Sequence, residues 1–190
     1  FDPLAALVAR RHPQVTCVEV DAPATAEPKR AGLLGAGLLA DNLHVVAADL
    51  ARHALADVLP GAWRRDAASV VVAEGLLMYL DEAAVRRFFA DVAALTGTGT
   101  RVAFSFIDLD ARGRPQLLMP MAGLTRVLLR LAGEALQWGI HPDALPAFLA
   151  EAGYRLIDRP DLAELRRRHL DGLPGEPLTP ADHLALAVRD

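Results

Sequence analysis

Cysteine is nearly absent from this chain. A single one, Cys17, excludes an intrachain disulfide and any metal site built on several thiolates. Its setting in VTCVEV makes it a small core residue of a strand. Serine is almost as scarce. Ser69 and Ser105 are the only two, and neither lies in a G-x-S-x-G elbow, which excludes an α/β-hydrolase. No Walker A sequence is present. The six histidines (His12, His44, His53, His141, His169 and His183) show no ligand spacing, so no metal is expected. Long apolar runs are also lacking. None reaches the roughly 18 to 20 residues that cross a bilayer, and no secretory signal pattern is visible, so a cytoplasmic protein is expected. Positive charge is not in excess: the net charge is −4 and the isoelectric point near 5.9. That balance argues against a nucleic-acid or anionic-membrane partner. The one basic cluster, LRRRH at Leu165 to His169, reads as a solvated helix face.

What is present is an apolar chain of 190 residues with 53% hydrophobic content, long enough for one domain with a sizeable core. Short β-branched runs alternate with helical stretches. Strands are expected at Val15–Val20, Leu43–Leu50, Ser69–Gly75, Thr100–Asp108, Tyr154–Asp158 and His183–Arg189. Helices are expected at Pro23–Leu39, Ala51–Leu59, Asp81–Leu95, Leu117–Leu136 and Pro142–Ala152. Asp81 is a natural N-cap, with Val85, Phe88, Phe89 and Val92 on one face of its helix. Gly153 supplies a C-cap signal. This order predicts an α/β fold, a doubly wound and mostly parallel sheet covered on both faces. Residues 112–140 read as a helical insertion, or lid, before the last two strands.

Three successive strands end in acids: Asp21, Asp49 and Glu74. In a doubly wound sheet ligands bind outside the carboxyl ends of the strands, so these acids are candidates for a cationic, donor-rich cofactor. An acid after the second strand suits the ribose hydroxyls of an adenosine, whether in NAD or in S-adenosylmethionine. NAD also needs glycines at a helix N-terminus for its pyrophosphate. The Gly-x-Gly at Gly35 to Gly37, in GLLGAGLL, falls at the end of a helix and reads as a turn. S-adenosylmethionine carries a sulfonium and an ammonium and has no phosphate, so a set of carboxylates suits it better.

The segments VEVDAPATAEPKRAGL, VVAADL, VVVAEGLLMYLDEAAV and RVAFSFID resemble, in order, the motifs of the leucine carboxyl methyltransferase family and its bacterial S-adenosylmethionine-dependent O-methyltransferase branch. LPAFLAEAGYRLID is similar to that family's ending. The resemblance implies a class I methyltransferase (Rossmann-like) domain over residues 1–190, with S-adenosyl-L-methionine as cofactor and a small-molecule carboxylate or hydroxyl as methyl acceptor. It implies that Asp21 holds the ribose, Asp49 and Leu50 read the adenine, and Glu74 with Gly75 meets the methionine end. Tyr79 would line the methyl-transfer pocket as the catalytic residue. Phe1-Asp2 fits the tail of the family's GxGxD motif, so a strand ending in Gly-x-Gly is expected upstream. Two alternatives stay open: a non-catalytic methyltransferase-like binding domain, and a nicotinamide-dependent oxidoreductase.

Overall fold

All six expected strands form. The computed structural model describes residues 2–116, 135–173 and 178–190, and their contacts group into two compact units, Phe1–Arg65 and Asp66–Asp190.

In the first unit β1 (Cys17–Asp21) pairs in parallel with β2 (Leu43–Ala47), with Cys17 opposite Leu43 and Asp21 opposite Ala47. The helices are α1 (Leu4–Arg11), α2 (Pro23–Gly35) and the single turn α3 (Leu55–Val58). Proline at the start of α2 suits a position whose N–H has no helical partner. After α2 the chain turns at Gly37, whose φ of 65° is left-handed and whose N–H donates to Leu34. The Gly35–Gly37 motif is therefore a helix ending, as its sequence context indicated. Ala6, Ala9, Cys17, Leu33 and Leu43 form the buried core of this unit. The Asn42 amide joins α1 to β1, lying 2.7 Å from the Val15 carbonyl and 3.1 Å from that of Ala9. The chain's single lysine, Lys29 on α2, lies 3.1 Å from Glu19 Oε2 on β1, an ionic contact with both side chains only 12% exposed.

The second unit contains β3 (Val70–Ala73), a 3-10 turn (Leu77–Tyr79), α4 (Glu82–Leu95) and β4 (Arg101–Ile107). Then come α5 (Leu145–Glu151), β5 (Tyr154–Asp158), α6 (Leu162–His169) and β6 (Asp182–Arg189). The sheet order is β3-β4-β6-β5. The parallel expectation holds for β3–β4 as it does for β1–β2, but β6 runs antiparallel to both its neighbours. A strand inserted head-down between two that share a direction makes both of its ladders antiparallel.

Asp81 caps α4 as expected, its Oδ1 accepting the Ala84 N–H at 2.7 Å. Phe89 is the centre of the core, with edge-to-face contacts to Phe88, Phe104, Phe148 and Tyr154 at centroid distances of 5.4 to 5.9 Å. Such pairs add about 0.5–1.5 kcal/mol each beyond their burial. Val102, Phe104 and Phe106 of β4 and Ala185 and Ala187 of β6 are buried. On the other face, Val70, Val72 and Leu184 are exposed.

Boundaries differ from expectation in places. β2 ends at Ala47 rather than Leu50, because Asp49 folds the next residues into a turn. The helix expected at Ala51–Leu59 shortens to α3, and that at Pro142–Ala152 to α5. The helix expected at Leu117–Leu136 falls almost wholly outside the described residues, as does most of the 112–140 insertion. At its near end Asp110 accepts the N–H groups of Arg112 and Arg114 and pairs with the Arg114 guanidinium, which together hold its carboxyl down at about 2. At its far end Gln137 N–H donates to Met78 and Ile140 N–H to Ile107, both at the carboxyl edge of the sheet. Among the described residues no helix is long and apolar enough to cross a membrane.

Candidate functional site

The three strand-end acids have different local duties. Asp21 is the last residue of β1, half-buried, and its Oδ1 accepts the next residue's N–H at 2.9 Å, which turns the chain into α2. Asp49 lies two residues beyond β2. Its Oδ1 accepts the Ala51 N–H at 3.0 Å, and its carbonyl accepts the N–H groups of Arg52 and His53. Leu50, beside it, is half-buried in the same turn. Asp49 thus shapes a turn whether or not it also meets a ligand.

Glu74 is different. It is exposed at the carboxyl end of β3, and no hydrogen bond or ion pair engages its side chain among the described residues. The backbone needs nothing from it. Gly75, next in line, has a φ of 61°, a left-handed conformation that favours glycine. Its N–H donates to Ser105 Oγ at 2.8 Å. Ser105 is 7% exposed in the middle of β4, so a buried hydroxyl on the neighbouring strand holds the turn that presents Glu74. Tyr79 closes the 3-10 turn that follows, half-buried, with its carbonyl accepting from Gln137 Nε2 at 2.7 Å.

A cavity of about 380 Å³ opens beside Glu74 and Gly75. Its walls are Met78, Leu162, Leu165, Leu178 and Leu184, and its polar lining is Glu74, Ser105, Thr179, Asp182 and His183. That is the size and mixture of a small-molecule site: mostly apolar, with a few convergent polar groups. His183 stacks on Phe106 at 5.0 Å, and its Nε2 is buried with no hydrogen-bond partner among the described residues. Burial pushes the His183 imidazole below its ordinary value, with Arg159 acting the same way, against the opposing pull of Asp108 and Asp182. Burial also raises the Asp182 carboxyl.

The sequence reading overlooked Ser105 and His183 as site residues. A serine inside the apolar run VAFSFI was the available signal for Ser105, whereas nothing local marks His183. It also overlooked Asp108, whose Oδ1 lies 2.8 Å from His141 Nδ1 at the end of β4. Trp138 is 5% exposed and packs on Phe148 at 5.6 Å.

The family model described as leucine carboxyl methyltransferase matches residues 5–93. Over that span the chain carries the leucine carboxyl methyltransferase pattern. The span includes Asp21, Asp49, Leu50, Glu74, Gly75 and Tyr79, while the cavity residues from Ser105 onward lie beyond it. A Mycobacterium ulcerans (strain Agy99) protein, provisionally named an S-adenosyl-L-methionine-dependent methyltransferase, is 40% identical over 91 residues, 47% of this chain and 30% of that protein. A Mycobacterium marinum (strain ATCC BAA-535 / M) protein with the same provisional name is 38% identical over the same shares. The chain thus spans about 30% of the curated relatives it matches.

Solved structures share the fold at lower identity. The mitomycin 7-O-methyltransferase MmcR matches 98% of this chain and 45% of its own, with a TM-score of 0.60 and 18% identity. The neocarzinostatin-pathway O-methyltransferase NcsB1, solved with S-adenosyl-L-homocysteine and 1,4-dihydroxy-2-naphthoic acid, matches 98% and 46% respectively, with a TM-score of 0.56 and 16% identity. These likenesses assign the α/β fold of such methyltransferases.

Proposed function

We propose that this chain serves an S-adenosylmethionine-dependent O-methyltransferase that methylates a carboxylate or hydroxyl of a small molecule. The observation that carries the reading is Glu74. Its carboxylate is unengaged among the described residues, sits at the carboxyl edge of a parallel strand pair, and stands on a left-handed glycine turn held by Ser105. A carboxylate left free by the fold, within the span that matches the leucine carboxyl methyltransferase family, fits a cationic ligand group.

In this reading Glu74 receives the cofactor's α-ammonium, with Gly75 allowing close backbone approach. Asp21 takes the ribose hydroxyls, and Asp49 with the Leu50 N–H takes the adenine. The Oδ1 atoms of both aspartates accept backbone N–H groups, which fixes the carboxylates, and Asp49 Oδ2 lies 3.5 Å from Arg52 Nε in an exposed pair that a ligand would have to share or displace. When bound, the cofactor supplies an electrophilic methyl. The chain's own residues then align the acceptor and keep water away, so rate comes from orientation. Tyr79 lines the acceptor's approach and offers its hydroxyl to the acceptor oxygen. The reading treats residues 1–190 as one methyltransferase domain with a doubly wound sheet.

Calorimetric titration with S-adenosylmethionine and with NADH tests it. Heat is expected with the first only. Removing one charge-assisted hydrogen bond costs about 1.5–3 kcal/mol, so Glu74→Ala should weaken S-adenosylmethionine about 10- to 150-fold. An unchanged dissociation constant in Glu74→Ala would sink the assignment of this residue. Heat with NADH alone would replace the reaction class.

A further inference from the structure

The 3-10 turn that carries Tyr79 ends before its last carbonyls are used. Within it the Tyr79 N–H donates to Leu76 at 3.0 Å and the Leu80 N–H to Leu77 at 3.1 Å. Leu80 is then extended, with ψ of 152°, so no next turn supplies donors to the Met78 and Tyr79 carbonyls. Gln137, 58 residues beyond Tyr79, caps both. Its N–H donates to the Met78 carbonyl at 2.8 Å, an oxygen shared with the Trp138 N–H at 3.3 Å. Its Nε2 donates to the Tyr79 carbonyl at 2.7 Å. The residues after it are firmly seated on β4. Trp138 is buried, the Ile140 N–H donates to Ile107 at 2.9 Å, and His141 Nδ1 lies 2.8 Å from Asp108 Oδ1. Gly139 lies so close to the strand that a Cβ there would meet the Ile107 carbonyl oxygen at 2.7 Å. Gln137 itself is exposed, so core packing does not account for its side chain.

Resting on the methyl-transfer reading above, we propose that Gln137 is a positioning residue for Tyr79. Its backbone and side-chain N–H groups hold two consecutive carbonyls, and with them the backbone angles that aim the Met78 and Tyr79 side chains. Met78 is a wall of the cavity beside Glu74. Tyr79 lines the acceptor's approach in the methyl-transfer reading. Gln137 acts through the turn and touches neither cofactor nor acceptor. Glutamine suits the position, because a carboxylate of the same size has no N–H to offer a carbonyl. The backbone N–H of residue 137 survives substitution by any residue but proline, so a side-chain variant subtracts the Tyr79 half of the clamp alone.

Tyr79 and Tyr154 are the only tyrosines in the chain, so fluorine NMR of the fluorotyrosine-labelled full chain reads the turn directly. Tyr79→Phe assigns the two resonances. S-adenosylmethionine and S-adenosylhomocysteine differ by the methyl group and the charge on sulfur. In the wild type they should move the Tyr79 resonance to different positions and leave that of buried Tyr154 in place. Gln137→Glu should abolish the difference between the two ligands, and Gln137→Lys, which restores a donor, should recover it. A general loss of stability would disturb Tyr154 as well and would not be repaired by lysine. S-adenosylmethionine affinity, followed by calorimetry, should stay within about twofold in both variants. With no ligand present, Gln137→Glu should speed hydrogen exchange at the Tyr79 and Leu80 N–H groups about 2- to 13-fold while exchange in α4 is unchanged. Unaltered exchange at those two groups would overturn the clamp whatever the ligands do. The positioning role would be overturned by a Gln137→Glu protein whose Tyr79 resonance still separates the two ligands, or by a folded Gln137→Lys protein that does not. A wild-type Tyr79 resonance that answers both ligands alike would overturn it too. No heat with S-adenosylmethionine in the wild type strikes the underlying reading instead, and the ligand-free exchange rates distinguish that failure from failure of the clamp.

Discussion

Ser105 and Gly75 form a small machine whose energetics can be worked from the structure. Ser105→Ala removes the 2.8 Å hydrogen bond from the Gly75 N–H. The net value of such a bond is about 0.5–1.5 kcal/mol, and water can reach the exposed Gly75 N–H once the hydroxyl is gone, so the cost should be close to 1 kcal/mol. Gly75→Ala places a Cβ on a residue with φ of 61°, at a cost of about 1–2 kcal/mol. No atom lies within 4 Å of that added Cβ, so no steric term adds to the strain. If the serine is what holds the turn left-handed, the double variant relaxes and loses less than the sum, by about 0.5 kcal/mol or more.

The assay follows from where the two tryptophans fall. Trp63 belongs to the first unit and Trp138, which is 5% exposed, to the second. In a Trp63→Phe background, Trp138 fluorescence during urea unfolding reports the unit that contains the turn. Each single variant should lower its unfolding free energy by the amounts above, with an unchanged m value. Strict additivity in the double variant, or a Ser105→Ala protein as stable as its parent, would refute the idea that β4 holds the Glu74 turn. Both variants should also weaken S-adenosylmethionine binding, since Glu74 precedes the turn.

Two further outcomes rest on buried titratable groups. Tyr154 is 2% exposed, donates its hydroxyl to the Phe89 carbonyl at 3.1 Å, and is pushed up by burial to about 12 against a weaker opposing effect of Arg189. Its folded value is raised, so the stability it contributes is intact below pH 10 and is lost as pH rises toward 12, by about 1–2 kcal/mol. Urea titrations across that window should show the fall in the wild type and a shallower one in Tyr154→Phe, and equal slopes would contradict the assignment. Cys17 is buried in the first unit, with its thiol raised by burial and by Glu19. At pH 8 it should react with a thiol reagent only as fast as the first unit opens, giving a rate that urea accelerates, and rapid labelling of the folded chain would contradict its burial.

Local signals were legible in the sequence and non-local ones were not. The valine run of β3, the Asp81 cap and the apolar stripe of α4 are written in neighbouring residues, and all three appear in the structure. The reversal of β6 is not local. DHLALAVR reads as a strand in either direction, and only its insertion between β4 and β5 fixes its sense. His183 was illegible for the same reason. Its burial comes from Phe106, directly opposite it on β4 and far from it in the chain.

The same distinction separates the three acids that looked equivalent in sequence. An acid after a strand serves either the backbone or a ligand, and the test is what else its oxygens are doing. Asp21 and Asp49 each spend one oxygen on an N–H that turns the chain, so their presence is explained before any ligand is invoked. Glu74 turns nothing. Gly75 makes the turn by its φ, and Ser105 holds it. A fold indifferent to a carboxylate at that position should tolerate its loss, so Glu74→Ala should leave stability within about 0.5 kcal/mol while cofactor affinity falls. The same experiment on Asp49 should move both quantities together. If Glu74→Ala instead destabilised the second unit and left affinity alone, the acid would be structural after all, and Asp21 and Asp49 would have to carry the cofactor without it.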